Sequence, residues 1–203
     1  MPRKFTEKKL VLATHNVGKI REISAMLDPC GIAVQSAGDF GLGEPEETED
    51  TFEGNASLKA RFAAEATGLP ALADDSGIEV DGLNGAPGVY TADWAETPNG
   101  RDYLMAMTRV WDELEALKAS EPRTARFVST LCLFLPDGTE EFFRGSTEGV
   151  LVWPVRGSNG FGFDPMFVPD GERLTFGEMT AEKKQSLSHR AAALAKFKAN
   201  CLD

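Results

Sequence analysis

The chain contains few of the residues that build zinc sites, disulfide frameworks or nucleic-acid surfaces. Three cysteines and two histidines occur among its 203 residues, and no cysteines form a Cys-x-x-Cys pair. We therefore expect no zinc site and no disulfides, and a reducing cytoplasm as the compartment. Lysine and arginine number 21 against 32 acidic residues, which gives a net charge of −11. This balance argues against a protein that follows a nucleic-acid backbone.

The sequence also lacks a long apolar run. No stretch approaches the roughly 20 apolar residues that a membrane-spanning helix needs, and the charged first nine residues precede no apolar segment of that kind. We therefore expect no signal peptide and no membrane partner. The hydrophobic content of 42% is enough for one large domain, or for two small lobes with a real core.

Two adjacent carboxylates stand at the end of an apolar segment. Ala71–Val80 leads from apolar residues into Asp74 and Asp75, continues through Ser76 and Gly77, and then becomes apolar again. This pattern predicts a buried strand that ends in charged side chains. Neighbouring carboxylates repel each other and lose solvation when buried, so such a pair usually shares a cation, a proton or a substrate. A simple polar turn between strands is the alternative.

A strand, a polar turn and a helical pattern open the chain. The turn consists of Thr14, His15, Asn16, Val17, Gly18 and Lys19. Free backbone N–H groups and the helix dipole at such a turn attract anions, and Lys19 adds a positive charge. The spacing differs from that of a Walker loop, and an ordinary turn with an exposed lysine is the alternative.

Two helices and an acidic loop complete the first two thirds of the chain. Most of residues 44–50, which include five carboxylates, are typical of a solvated loop. One or two of them could still reach a Mg²⁺ ion near Asp75. Thr51 is predicted to cap a helix in which Lys59 has the pattern of a surface residue. Asn99 is predicted to cap an amphipathic helix that contributes to the core or to a subunit contact.

A glycine-rich loop, residues 156–165, contains two aromatic residues and one carboxylate, Phe161, Phe163 and Asp164. Aromatic faces stack on nucleobases, although core phenylalanines in a β-bulge are equally consistent with the pattern. Thr180 is predicted to cap a helical turn that contains Lys184. The cations Lys184, His189 and Arg190 gather around the predicted start of the closing helix, where the helix dipole disfavours them. Their presence there indicates a negatively charged ligand.

Five segments together resemble the inosine triphosphate pyrophosphatase family in order and spacing. They are residues 14–19, 73–77, 85–90, 161–165 and 188–190, and the resemblance extends over nearly the whole chain. It implies an α/β fold in which a long central mixed β-sheet is flanked by helices. It also implies two lobes within a single domain, residues 1–203, with the active-site cleft between the lobes, and assembly as a homodimer.

The resemblance further implies a reaction and its residues. Members of the family cleave ITP, dITP and XTP between the α- and β-phosphates with Mg²⁺, which keeps deaminated purines out of DNA and RNA. By position, Asp75 corresponds to the general base and, with Glu47, to a Mg²⁺ ligand. The positions that correspond to substrate contacts are Thr14, His15, Asn16, Val17, Gly18, Lys19, Lys59, Ser76, Phe161, Gly162, Phe163, Asp164, Lys184, His189 and Arg190.

The sequence departs from the family pattern at two positions. Phe163 stands where tyrosine is frequent, and Asp93 where arginine is common, so we assign Asp93 no role. Two other functions are consistent with the chain. One is a Maf-like nucleotide pyrophosphatase, which we would not expect to carry residues 161–165 and 188–190 as they stand here. The other is a nucleotide-binding module without turnover, against which the intact Asp75 beside an acidic loop argues.

Overall fold

The computed structural model describes residues 4–202 and divides them into two compact units. The first unit takes the chain up to Asp75, then Ser129–Gly145 and the segment that starts at Arg190. The second unit takes Ser76–Val128 and Ser146–His189. That the two form a single domain stays a prediction.

The described residues include five α-helices, whose starting points follow from local capping. Asn16, Thr51 and Thr180 each accept a hydrogen bond from a backbone N–H in the first turn of the helix that follows, as residues with short polar side chains commonly do at this position. The predicted caps at Thr51 and Thr180 are thereby confirmed. The helices are α1 (Val17–Leu27), α2 (Phe52–Thr67), α3 (Tyr103–Ala116), α4 (Ala181–Leu187) and α5 (His189–Phe197).

The strands form one mixed sheet and one short hairpin. Their bounds are β1 (Lys9–Leu12), β2 (Ala33–Ser36), β3 (Ala71–Val80), β4 (Pro87–Gly88), β5 (Glu96–Thr97), β6 (Gly100–Arg101), β7 (Thr124–Phe134), β8 (Glu140–Leu151) and β9 (Phe167–Pro169). The sheet has the order β2-β1-β3-β7-β8-β9, with β4 beside β3. Strand β1 is parallel to β2 and β3, whereas β9 is antiparallel to β8. The predicted α/β fold with a mixed sheet is confirmed.

Helix α2 in the first unit buries small side chains together with one lysine. Ala56, Ala60 and Ala63 are fully or almost fully buried and pack with Val11 of β1. Their spacing of four and three residues places them on one helical face. Lys59 borders that face and is 5% exposed, so the prediction of a surface position from its pattern is wrong. A second cluster packs α1 and α5 through Ile23, Leu27, Leu194 and Phe197.

Helix α3 in the second unit begins three residues after the predicted cap. Asp102, rather than Asn99, accepts a hydrogen bond from the Met105 backbone N–H at 3.0 Å. Asn99 lies between β5 and β6, where a tight antiparallel pairing ends before the helix can start. The middle of α3 supplies Met107, Val110 and Leu114 to the core of this unit. Within the described residues, none of the helices is both long enough and apolar enough to cross a membrane.

Candidate active site

Lys59 and Asp75 form a buried ion pair at the point where α2 faces β3. The ammonium Nζ of Lys59 lies 2.8 Å from Asp75 Oδ1 and 2.7 Å from Glu47 Oε1. It also donates to the Asp74 carbonyl oxygen at 3.2 Å. Glu47 comes from the acidic loop, so one member of that loop does reach Asp75 through the lysine. The structure thus brings together three of the residues that the family resemblance assigned.

Burial sets the protonation of this pair. It raises the pKa of Asp75 above its usual range, against the opposing effect of Lys59. Burial also acts to lower the pKa of Lys59, but the carboxylates of Asp75 and Glu47 outweigh it and the pKa is raised. Asp75 Oδ2 is buried and has no hydrogen-bond partner among the described residues. Because an unpaired buried carboxylate oxygen is costly, this atom is suited to a ligand or a proton.

The neighbouring carboxylate, Asp74, has a different set of partners. Its Oδ2 lies 3.0 Å from Lys19 Nζ and 3.1 Å from Arg190 NH2, and Ser129 donates its hydroxyl to Oδ1. Arg190 is also paired with Glu22 of α1. Burial acts to raise the pKa of Asp74, but Arg190 and Lys19 outweigh this effect and hold the pKa far below its usual range. Successive strand residues point to opposite faces, so each aspartate has its own lysine.

The turn before α1 is held together by its own side chains. Asn16 Oδ1 accepts from the backbone N–H groups of Gly18 and Lys19 at 2.9 and 3.2 Å. The prediction that these N–H groups are free for an anion is therefore wrong for these two residues. Thr14 Oγ1 accepts from the Asn16 N–H, and the His15 N–H donates to Glu44. Val17 is 69% exposed, and Lys19 is the side chain of this turn that carries charge toward Asp74.

The glycine-rich loop of residues 156–165, in the second unit, contains a separate polar cluster. Asp164 Oδ2 accepts from the Phe161 backbone N–H at 2.7 Å and from Lys184 Nζ at 2.7 Å. Lys184 Nζ lies 4.5 Å from the centre of the Phe161 ring, within the range of a cation–π contact. The carboxylate of Asp164 therefore fixes both the loop and the lysine that lies against its aromatic residue.

The other predicted contacts of this unit occupy different environments. Phe163 is 1% exposed and packs edge-on against Tyr103, so its ring belongs to the core and only its main chain remains for a substrate contact. The His189 ring stacks on Phe127 with centroids 4.9 Å apart. Ser76 is half-buried on β3, and Gly162 has a φ of +66°.

Lys184, in the last turn of α4, and Arg190, at the start of α5, are balanced by carboxylates of the protein itself. Lys184 is paired with Asp164, and Arg190 with Asp74 and Glu22. The sequence argument took these cations as evidence for a ligand anion. That argument is wrong, because carboxylates of the protein already balance their charge. Sequence reasoning also missed Ser129 and Glu22, because a serine in an apolar strand and a glutamate in an amphipathic helix carry no distinctive signal.

The donor set near Asp75 fits Mg²⁺ better than a metal that requires several protein ligands. Among residues 4–202, no group of three or more histidine, cysteine or acidic side chains is placed to hold a metal. Asp75 offers its unpaired Oδ2, and Glu47 offers a carboxylate whose side chain is 41% exposed. Mg²⁺ prefers oxygen ligands, keeps several bound waters and also coordinates substrate phosphates. Two protein carboxylates are therefore enough to bind it.

The model of the Ham1 family matches residues 10–200. A protein of Ruegeria pomeroyi named dITP/XTP pyrophosphatase is 59% identical over 201 residues, which cover 99% of this chain and 98% of that protein. One of the same name from Agrobacterium fabrum is 54% identical over 212 residues and covers 99% of each chain.

A solved structure of a HAM1 protein from Coxiella burnetii is similar as well. It is 34% identical, with a TM-score of 0.87 over 95% of this chain and 98% of that one. The resemblance found in the sequence is thus confirmed over the full length, and the chain belongs to the Ham1 family.

Proposed function

We propose that this chain is a nucleoside triphosphate pyrophosphatase that hydrolyses nonstandard purine nucleotides, dITP, ITP and XTP, to the monophosphate and pyrophosphate. Relatives of 51% to 59% identity are named dITP/XTP pyrophosphatase. The observation that carries the proposal is the Lys59–Asp75 pair with its unpaired buried carboxylate oxygen. A proton acceptor beside a fixed ammonium group is what the hydrolysis of an anionic phosphoric anhydride requires.

Lys19, Lys59 and Asp75 would bind the phosphates and accept the proton. Water attacks phosphorus, the bond between the bridging oxygen and that phosphorus breaks, and pyrophosphate leaves with the electron pair. The Asp75 carboxylate takes the proton of the attacking water, a contribution of about 10²–10⁴-fold for general bases. The ammonium groups of Lys19 and Lys59 neutralise charge that develops on the phosphate oxygens. Thr14, His15, Asn16, Val17 and Gly18 shape the turn that carries Lys19.

Mg²⁺ is the cofactor that we propose, held by Asp75 and Glu47. When bound, it would withdraw charge from the phosphate oxygens and help to orient the attacking water. Lys59 lies between the two carboxylates and keeps them from repelling each other. The chain itself therefore holds both carboxylates in place for the ion.

The remaining predicted residues would recognise the base. Phe161 would stack on the purine, and Lys184 and His189 would donate to its 6-oxo group, with Arg190 at the same end of the chain. Ser76, Gly162, Phe163 and Asp164 would complete the contacts. A site that donates to an oxygen leaves those donors unpaired when a 6-amino group replaces it, which can reject the wrong base by roughly 10⁴-fold.

Product analysis tests the proposal directly. The protein is incubated with Mg²⁺ and, in separate reactions, ITP, XTP, ATP and GTP, and the products are separated by chromatography. We expect IMP and XMP with pyrophosphate, and little product from ATP or GTP. Nucleoside diphosphate with orthophosphate would overturn the proposed bond specificity. Binding of these purines without any turnover would favour a nucleotide-binding module or a Maf-like pyrophosphatase.

We also propose a cytoplasmic homodimer that binds neither nucleic acid nor membranes. All three cysteines are free, as is usual for proteins of a reducing compartment. The net charge of −11 opposes binding to nucleic acid and to anionic lipid surfaces. Light scattering coupled to gel filtration tests the dimer, since a mass of one 22.0 kDa chain would contradict it.

A further inference from the structure

The side chain of Asp74 is buried at the centre of a charged cluster in the first unit. It is 1% exposed. Its Oδ2 lies 3.0 Å from Lys19 Nζ and accepts hydrogen bonds from NH2 and Nε of Arg190 at 3.1 and 3.2 Å. Ser129 donates to the other oxygen. Both oxygens of the carboxylate are therefore occupied by the protein, whereas only Oδ1 of Asp75 is.

The main chain of Asp74 binds the same lysine again. Its carbonyl oxygen accepts from Lys19 Nζ at 3.1 Å and from Lys59 Nζ at 3.2 Å. One residue thus holds Lys19 at two points, through its carboxylate and through its carbonyl. The same carbonyl fixes how far apart the two ammonium groups lie.

A lone ammonium group in this place would be poorly restrained. Lys19 has a flexible four-carbon stem and is close to two other cations, Lys59 and Arg190. Like charges in a buried site repel strongly, so Lys19 needs an anion to stay beside them. Asp74 is the carboxylate that contacts it.

We propose that Asp74 is a positioning residue: it holds the Lys19 ammonium group in place to contact the triphosphate, just as Asp75 and Glu47 hold that of Lys59. This inference rests on the proposed function, in which Lys19 contacts phosphate. Arg190 balances the charge of Asp74 and so lets the carboxylate remain ionised in a buried place. A misplaced ammonium group should cost about 10²-fold in rate, as small misplacements of catalytic groups do.

A double-mutant cycle tests this role. The variants are Asp74→Asn, Lys19→Met and the combination, measured by kcat and KM for XTP with saturating Mg²⁺. We expect each single variant to lose about 10²-fold in kcat/KM and the combination to be no worse than Lys19→Met alone, because residues that act as one unit are not additive. Losses that multiply would overturn the proposal, since a merely structural role of Asp74 would act independently of Lys19.

Two further measurements keep the result interpretable. Phe161→Ala combined with Lys19→Met serves as the control, and its losses should multiply because the two residues act at different parts of the substrate. If Asp74→Asn fails to fold by circular dichroism, Ser129→Ala replaces it, which removes the hydroxyl partner of Asp74 while keeping the charge. Ser129→Ala should lower kcat/KM several-fold only when Lys19 is present, and an equal loss in the Lys19→Met background would overturn the proposal.

The wild-type protein separates the two hypotheses. If it hydrolyses none of the nucleotides, the proposed function is wrong and the positioning role falls with it. If it hydrolyses XTP while the Asp74 and Lys19 losses multiply, the function stands and only the positioning role is wrong.

Discussion

A β-carbon on Gly160 would lie 2.0 Å from Oδ2 of Asp164. The oxygen at that place accepts from the Phe161 N–H and from Lys184, so the absence of a side chain at Gly160 is what allows the carboxylate to reach them. Gly160 also has a φ of +73°, a conformation that glycine adopts without steric cost.

Replacing Gly160 by alanine should therefore weaken base recognition. The new methyl group would push Asp164 away from the Phe161 N–H and from Lys184, and we expect KM for XTP to rise about tenfold, the equivalent of one lost charge-assisted hydrogen bond. Gly171→Ala is the matched control, because Gly171 has a φ of +81° but nothing within 4 Å of the added carbon. Both variants should melt at a lower temperature, and an equal KM for the two would contradict the role of Gly160.

Asp75→Asn should retain the fold and lose turnover. The amide keeps the size of the side chain but cannot take the proton of water, so we expect kcat for XTP to fall by at least about 10². Quantified monophosphate from timed reactions gives kcat, and Asp170→Asn, an exposed aspartate, gives the control. A kcat near that of the wild type would remove Asp75 from the role of base.

Glu47→Gln should raise the Mg²⁺ concentration needed for half-maximal activity. Its carboxylate is one of two that we propose for the ion, and it also pairs with Lys59. We expect the midpoint to shift by about 10–100-fold, the loss typical when a group that supports a metal is removed. Glu46→Gln changes the exposed neighbour in the same acidic loop and should leave the midpoint in place. Equal Mg²⁺ titrations for the two variants would argue against Glu47 as a ligand.

Arg190→Ala should lower the stability of the protein as well as its activity. The guanidinium is 2% exposed and paired with Asp74 and Glu22, and removing one partner of a buried ion pair costs about 3–5 kcal/mol in the free energy of unfolding. Urea denaturation followed by circular dichroism measures this loss. Arg173→Ala, at an exposed position, should change it by less than about 0.5 kcal/mol. If the variant has wild-type stability but altered selectivity between ITP and ATP, Arg190 acts only in recognition of the base.

The thiols should react in two distinct classes. Cys30 is exposed, whereas Cys132 and Cys201 are buried, and burial raises the pKa of Cys132 to about 12. At pH 8 we expect one rapidly reacting thiol per native chain and three in denaturant, counted with a chromogenic disulfide reagent.

The same pKa shift makes stability depend on pH. An unfolded thiol ionises near pH 8.5, so the contribution of buried Cys132 to stability is complete below that pH and is lost as the pH rises toward about 12. A native protein in which two thiols react rapidly at pH 8 would contradict the predicted count of one accessible thiol.

Periodicity and capping residues were sufficient to predict most of the secondary structure. The helix starts at Thr51 and Thr180 and the strand that bears Asp74 and Asp75 follow from local patterns. The start of α3 was misplaced because Asn99 and Asp102 are both good caps, and the short hairpin before the helix decides between them.

The site was less accessible to such reasoning. Lys59 has the local pattern of a surface lysine, and only the tertiary placement of Glu47 and Asp75 around it explains its burial. The partners of Asp74 come from three distant parts of the sequence, Lys19, Ser129 and Arg190. Long-range charge balance of this kind leaves no periodic signal, and the family resemblance supplied what the pattern could not.

The alternation of β3 also restricts how this segment can change in length. Asp74 and Asp75 face opposite sides of the strand, and Leu12 of β1 is in register with Leu72 just before them. A single-residue insertion or deletion between Leu72 and Asp74 would reverse the two faces and present each carboxylate to the other's lysine. Surviving variants of this strand should therefore preserve its residue count, even where individual apolar residues are exchanged.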